Sequence, residues 1–180
     1  MSKTRIRERI ASISDGDRRT ARHVARLQEP RLGMSWREKD ICTMLRDGDL
    51  SGYKATRQAP GAPVLFVGAI LFRTMADEGE VLSLSVRRSV RRQGIASALI
   101  AKTLISMKLA GVKSVFLEVS ETNRAARALY QRYGFEKVGV RHNYYSTKHR
   151  KHHNALVLRL KLSSCRRKRK RGNFSTEKRI

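Results

Sequence analysis

The chain has 180 residues, 40% hydrophobic and 31% charged, with little Gly or Pro; this suits one folded domain and excludes a fibrous or low-complexity protein. Lys and Arg number 40 against 15 Asp and Glu, a formal net charge of +25. The stretch 163–180 supplies only +7 of it (eight Lys and Arg, one Glu), so the body is basic too, and such a field draws polyanions such as RNA or ribosomes at low salt without specifying a fold.

The longest apolar run, residues 62–72, is broken by Pro63 and Gly68 and falls short of the ~20 residues of a membrane-spanning helix; it reads as a buried strand, and no membrane association is expected. The N-terminus lacks a secretory apolar stretch, and Glu8, Asp15 and Asp17 count against a transit peptide, which gives a cytoplasmic expectation. Cys42 and Cys165 form no CxxC pair and are expected to be free thiols.

In chain order, residues 9–14 suit a first strand, and a helix follows from Arg19 through Val24 and Leu27 until Pro30 stops it. Ser35 with Glu38 three residues on has capping-box spacing, so a second helix is expected to start there and carry Trp36, Ile41, Met44 and Leu45 up to Gly48. Strands at 52–57, 64–73 and 80–86, separated by turn-rich 58–63 and 75–80, predict an antiparallel meander. Residues 95–110 turn helical, with Ile95, Leu99, Leu104, Ile105 and Leu109 on a broad apolar face and Gly111 as the stop. A strand at 114–120, a helix at 124–133 between Asn123 as N-cap and Gly134 as the C-terminal glycine, and strands at 135–141 and 155–162 complete the pattern.

This order predicts an α/β fold, a mixed, mostly antiparallel sheet with helices on both faces. Residues 1–8 are expected to be an N-terminal extension, 9–162 one domain, and 163–180 a flexible basic tail holding RRKRKR.

Residues 82–100 read as a strand, a basic turn and a helix start, a geometry that holds phosphate on unpaired helical N–H groups. Gly94 allows close approach, and Arg91, Arg92 and Gln93 surround it with donors. The spacing is neither a P-loop nor a GxGxxG fingerprint. A basic turn before an amphipathic helix accounts for the same residues. Arg91 to Ala96, RRQGIA, nevertheless resembles the Q/R-x-x-G-x-G/A acetyl-CoA loop of the GNAT acetyltransferases, with Ala96 where glycine is frequent.

The next window resembles the RimI-type branch, which acetylates protein N-termini: L-E-V-x-x-x-N at Leu117 to Asn123, A-x-x-L-Y-x-x-x-G-F at Ala126 to Phe135, then Asn143, Tyr144 and Tyr145. Ser35 and Trp36 are similar to that group's Pro-Trp-Ser helix start, although no proline precedes them, and the resemblance covers residues 9–162. It implies a GNAT fold, acetyl-CoA as co-substrate, and a protein N-terminal amine as acceptor, the N-terminal alanine of a ribosomal protein in particular. It further implies cofactor contacts at Leu84, Ser85, Val86, Arg91, Arg92, Gln93, Gly94, Ile95, Ala96, Ser97 and Asn123. A backbone N–H near Ser85 or Val86 would meet the developing oxyanion. Tyr144 and Tyr145, expected in the turn between the last two strands, would cover the acceptor's N-terminus; hairpin packing explains either tyrosine alone.

The chemistry is consistent with the residues. An amine attacks a thioester only when neutral, and a protein α-amine with pKa near ~8 is easier to deprotonate than a lysine near ~10. Glu118 alternates away from Val115, Leu117 and Val119, and partial burial would suit it as general base; a solvated or ion-paired edge glutamate has the same pattern. Tyr130 could protonate the departing thiolate, with Ala125, Leu129 and Tyr133 packing on the sheet, or it could be an ordinary core tyrosine. His149, His152 and His153 lack zinc spacing, so no metal is expected. Two other readings stay open: acetylation of lysine or a small amine, and a basic nucleic-acid-binding protein.

Overall fold

The computed structural model describes residues 6–13, 18–28, 36–146 and 152–162, apart from a few side chains near residue 145. Its elements are β1 (Arg7–Ser12), α1 (Arg18–Leu27), α2 (Glu38–Arg46), β2 (Ser51–Gln58), β3 (Leu65–Met75) and β4 (Glu78–Val86). After a single 3₁₀ turn come α3 (Ile95–Leu109), β5 (Ser114–Ser120), α4 (Arg124–Arg132), β6 (Glu136–Ser146) and β7 (His152–Lys161). The strands form one seven-stranded sheet in the order β1-β2-β3-β4-β5-β7-β6. Every neighbouring pair is antiparallel except β4 and β5, which run parallel because α3 carries the chain back between them.

Two apolar clusters lie on the two faces. Val67, Ile70, Val81, Val115 and Leu117 pack with Leu99, Ile100 and Met107 of α3 and Tyr130 of α4. Ile13, Phe66, Ala69 and Leu71 pack with Val24 of α1 and Ile41 and Leu45 of α2 on the other face. Side chains of β3 alternate between the clusters, which is why the run at 65–72 is apolar throughout: both its faces are covered. Gly68 sits under the start of α3, where an added Cβ would stand 3.1 Å from both Ile95 Cγ2 and the Ser85 carbonyl oxygen.

Several expectations change. α2 begins at Glu38 with Arg37 as its N-cap and no side-chain cap bond, so no capping box forms with Glu38; that carboxylate instead accepts from Arg22 Nε at 3.0 Å. Ser35 lies outside the described residues, and Trp36 precedes the helix rather than riding on it. On α3, Ile105 and Leu109 are 57% and 84% exposed, whereas Ile100, Thr103 and Met107 are buried. At about 100° per residue the sheet-facing arc centres near Thr103 and Met107, and the two exposed residues fall on its far flank.

The β3–β4 turn is only Ala76 and Asp77, with Ala76 at φ 52°, so both strands extend into the segment expected to be loop. β6 runs to Ser146, which places Asn143, Tyr144 and Tyr145 in a strand instead of the turn that follows it. β1 starts at Arg7, two residues ahead of the expected strand. The tail at 163–180 and His149 lie outside the described residues. No helix among the described residues is long and apolar enough to cross a membrane.

Candidate active site

The parallel pairing of β4 with β5 stops early. Its last rung is Val81 with Leu117; beyond it β4 continues along β3 to Val86 opposite Gly68, while β5 continues along β7 to Ser120 opposite Ala155. A register shift explains the parting: Phe72 faces Val81 and Leu71 faces Ser83, leaving Leu82 as an extra residue on β4. Such a bulge bends and twists its strand, and this one falls one residue past the last β4–β5 rung. Between the diverging strands opens a cleft of about 750 Å³, walled by residues of Leu82 to Val86 on one side and of Glu118 to Ser120 on the other.

Backbone polarity in the gap follows from the ladder. The Arg87 N–H donates to the Val67 carbonyl at 2.8 Å, so by alternation the Ser85 N–H also turns to β3, and the N–H groups of Leu84 and Val86 turn to the gap. The Val86 carbonyl faces the same way and accepts from Arg91 Nε at 3.1 Å. Of the two expected oxyanion positions, Val86 therefore presents its N–H to the cleft and Ser85 does not.

At one end of the cleft lies the start of α3. Gly94 is its N-cap in the left-handed region, φ 84°, and no side chain caps the helix. The first-turn N–H groups are therefore left for an external acceptor, and the space a Gly94 Cβ would occupy is open. Arg92, a non-glycine residue at φ 63°, holds a turn conformation that costs ~1–2 kcal/mol. The opposite wall comes from α4, whose N-cap Asn123 accepts the Ala126 N–H on Oδ1 at 3.1 Å. The Tyr133 hydroxyl donates to the Ser97 carbonyl at 2.7 Å and ties α4 to the first turn of α3.

At the other end stands Glu118, its side chain 17% exposed and its Oε1 2.8 Å from Arg141 Nε. Arg141 projects from β6, two strands away. It reaches because the path to Glu118 crosses only Ala155 and Val157 of β7, on the rungs shared with Ser120 and Glu118, and its β6 neighbour opposite Val157 is Gly139, which has no side chain. The guanidinium also lies 5.5 Å from the Tyr144 ring centroid. Burial first, then hydrogen bonding to the Glu118 carboxylate, pushes the Tyr144 phenol above its ordinary value. Arg141 and Tyr144 would face opposite sides of a regular strand. The irregular register between Arg141 and Tyr145, four steps on β6 against two on β7, brings both to Glu118.

Tyr130 is 7% exposed, edge-to-face with Phe135 at 5.7 Å between centroids, and contributes to the cleft wall. It is thus both a core residue and a cleft residue. Ala126, Leu129 and Tyr133 pack partly against the core beside it, while the expected Ala125 is exposed.

Of the expected site residues, the cleft collects Leu84, Ser85, Val86, Arg91, Arg92, Gly94, Ile95, Ala96, Ser97, Glu118, Asn123, Tyr130 and Tyr144. Gln93 is exposed and off the wall, and the Tyr145 side chain lies outside the description. Sequence reading missed Arg141, the Arg73–Glu80 pair with Nη2 and Oε2 2.7 Å apart, and Gln28, all on the wall. An Arg three residues before a tyrosine in a strand gives no signal of a shared site, because only the bulge aligns them.

A cleft between parted parallel strands, with an uncapped helix start at one end and a carboxylate at the other, is the arrangement that the resemblance to the GNAT acetyltransferases implies. The sequence profile of the acetyltransferase (GNAT) family matches residues 13–135, and the chain belongs to that family. It is 32% identical over 92 residues to the [ribosomal protein bS18]-alanine N-acetyltransferase of Haemophilus influenzae, covering 51% of this chain and 62% of that protein. To the enzyme of the same name from Escherichia coli K12 it is 28% identical over 138 residues, 77% of this chain and 87% of that one. The crystal structure of the Escherichia coli ribosomal-protein-S18-alanine N-acetyltransferase superposes with a TM-score of 0.73 at 24% identity, over 90% of this chain and 98% of the other. The protein is accordingly an acetyl-CoA-dependent N-acetyltransferase.

Proposed function

We infer that the acceptor is a protein N-terminal amine, an N-terminal alanine of a ribosomal protein in the first instance, and that residues 9–162, together with Arg7 and Glu8 at the start of β1, carry the whole activity. The observation that carries this reading is the Glu118 carboxylate at the acceptor end of the gap, anchored by Arg141 beside Tyr144. The residues divide the work by position. First-turn N–H groups of Ile95, Ala96 and Ser97, with Arg91 and Arg92, hold the pyrophosphate of acetyl-CoA, Gly94 leaves room for it, and Asn123 and the β4 edge at Leu84, Ser85 and Val86 line the pantetheine path. Gln93, exposed beside the turn, adds a donor only if the loop closes on the ligand.

Acetyl-CoA supplies a thioester as the acyl donor. Glu118 accepts the proton of the α-ammonium, directly or through one water, at a pKa difference that a carboxylate can bridge for an α-amine far better than for a lysine. The Val86 N–H faces the charge that develops on the acyl oxygen. Tyr130 supplies a proton to the departing sulfur. Tyr144, with Tyr145 next to it on β6, covers the acceptor's first residue.

The deciding experiment is mass spectrometry of reactions with two peptides, one with free N-terminal alanine and no lysine, the other N-terminally blocked with an internal lysine. Acetylation of the first alone is expected. Acetylation of the second alone would move the function to lysine. The +25 charge supports a looser association with RNA or ribosomes in the cytoplasm, to be read as binding that weakens steeply with salt. RNA affinity that barely changes with salt would refute it.

A further inference from the structure

Gln28 follows α1 and is 9% exposed. Its Oε1 accepts the Trp36 backbone N–H at 2.6 Å, which fixes the amide's orientation, since only the oxygen can accept. Its Nε2 is therefore a committed donor. Among the described residues it is the buried side-chain polar atom left without a hydrogen-bond partner. A dry, unpaired amide N–H costs ~1–3 kcal/mol, and a folded chain that keeps one does so where something else completes it. Gln28 belongs to the cleft wall together with Leu27 and Trp36.

Its position says which ligand. α1 and α2 cover the sheet face that holds Leu71, and the Leu82 side chain packs there. Glu118 alternates away from the opposite cluster and so shares that face, as does Glu80 one residue before Val81. Gln28 is thus at the acceptor end, across the sheet from the α3 cluster. A hydrogen-bond donor there needs an acceptor atom on the incoming molecule.

We propose that Gln28 Nε2 donates to the first main-chain carbonyl of the acceptor peptide and so selects α-amines over lysine side chains; the proposal rests on the N-terminal reading above. A peptide's α-amine is two bonds from its own carbonyl carbon, so holding that oxygen orients the nitrogen. A lysine ε-amine has only methylenes over the same distance and leaves Nε2 unpaired. Sites that hydrogen-bond a substrate group reject analogues lacking it, because the buried partner then goes unsatisfied.

The test uses the full chain, acetyl-CoA, the lysine-free alanine peptide, and the same peptide with its first amide replaced by a trans-alkene that keeps the shape and removes the carbonyl; rates are compared per neutral amine, because the allylic amine is more basic than the α-amine it replaces. Wild type is expected to lose about tenfold or more in kcat/KM on the alkene analogue. Gln28→Glu keeps the acceptor for Trp36 and removes the donor, so its discrimination between the two peptides should shrink to within about twofold. Equal rates on both peptides in wild type would overturn the proposal without needing any variant, as would undiminished discrimination in Gln28→Glu. Failure of wild type to acetylate the alanine peptide at all is a different result, and it removes the N-terminal reading itself.

Discussion

Arg141 Nε and Glu118 Oε1 are 2.8 Å apart although their strands are not neighbours: β7 runs between them. The bridge needs a long, forked side chain above small ones, and it fixes the carboxylate's rotamer at the acceptor end. Arg141→Ala is expected to lower kcat about tenfold, the value for one half-exposed charged hydrogen bond, with acetyl-CoA affinity unchanged. Arg141→Lys should recover little of it, because an ammonium cannot both pair with Glu118 and cover the Tyr144 ring. Steady-state kinetics with full kcat from Arg141→Ala would show that the pair is incidental.

Glu118→Gln and Tyr130→Phe should each reduce kcat on the order of 10²-fold, the lower range for a general base or acid, and leave acetyl-CoA binding nearly intact. Calorimetric titration of acetyl-CoA beside turnover separates the effects. Tyr130 also packs on Phe135, so Phe is the substitution that keeps the ring contact while removing the hydroxyl. Unchanged turnover in both variants would sink the assignment of these two roles.

Two glycines should fail in different ways. Gly94→Ala puts a Cβ into open space at φ 84°, so the folded protein loses ~1–2 kcal/mol to torsion alone, while acetyl-CoA affinity is expected to fall further if the phosphates approach there as proposed. Gly68→Ala meets Ile95 and the Ser85 carbonyl at 3.1 Å, and overpacking there is expected to cost ~1–3 kcal/mol by thermal melting. A Gly94→Ala protein that binds acetyl-CoA normally would contradict the loop's assignment.

The acid side of the stability curve should report the far end of β5. Glu121 accepts the Asn154 N–H at 3.0 Å and Asn154 Nδ2 at 3.1 Å, and that backbone bond first, then the side-chain one, holds its carboxyl below the ordinary 4.5. With the folded value depressed, the unfolded chain takes up the proton more readily. The contribution is therefore complete above pH 4.5 and is lost as pH falls through the folded value. The Tm difference between wild type and Glu121→Gln should shrink from pH 7 to pH 3. A difference that stays constant would place the stabilisation elsewhere.

The sequence by itself determined the element types, the glycine turn before α3, the Asn123 cap and the alternation that sends Glu118 away from Leu117, because each rests on local spacing or on side-chain chemistry within a few residues. It also held the family likeness on which the acetyl-CoA site rests. Only the tertiary structure decided where those elements act. The face of α3 that is buried depends on where the sheet lies under it, so Ile105 and Leu109 read as core and are exposed. The parting of β4 from β5 depends on a single extra residue against β3, a register that no local pattern records. Arg141, Tyr144 and Glu118 meet through a bulge and a crossing of β7, and Gln28 becomes an unsatisfied donor only once Trp36 has taken its oxygen. Long-range pairing sets these contacts, and pairing is a property of strands held together rather than of any one of them.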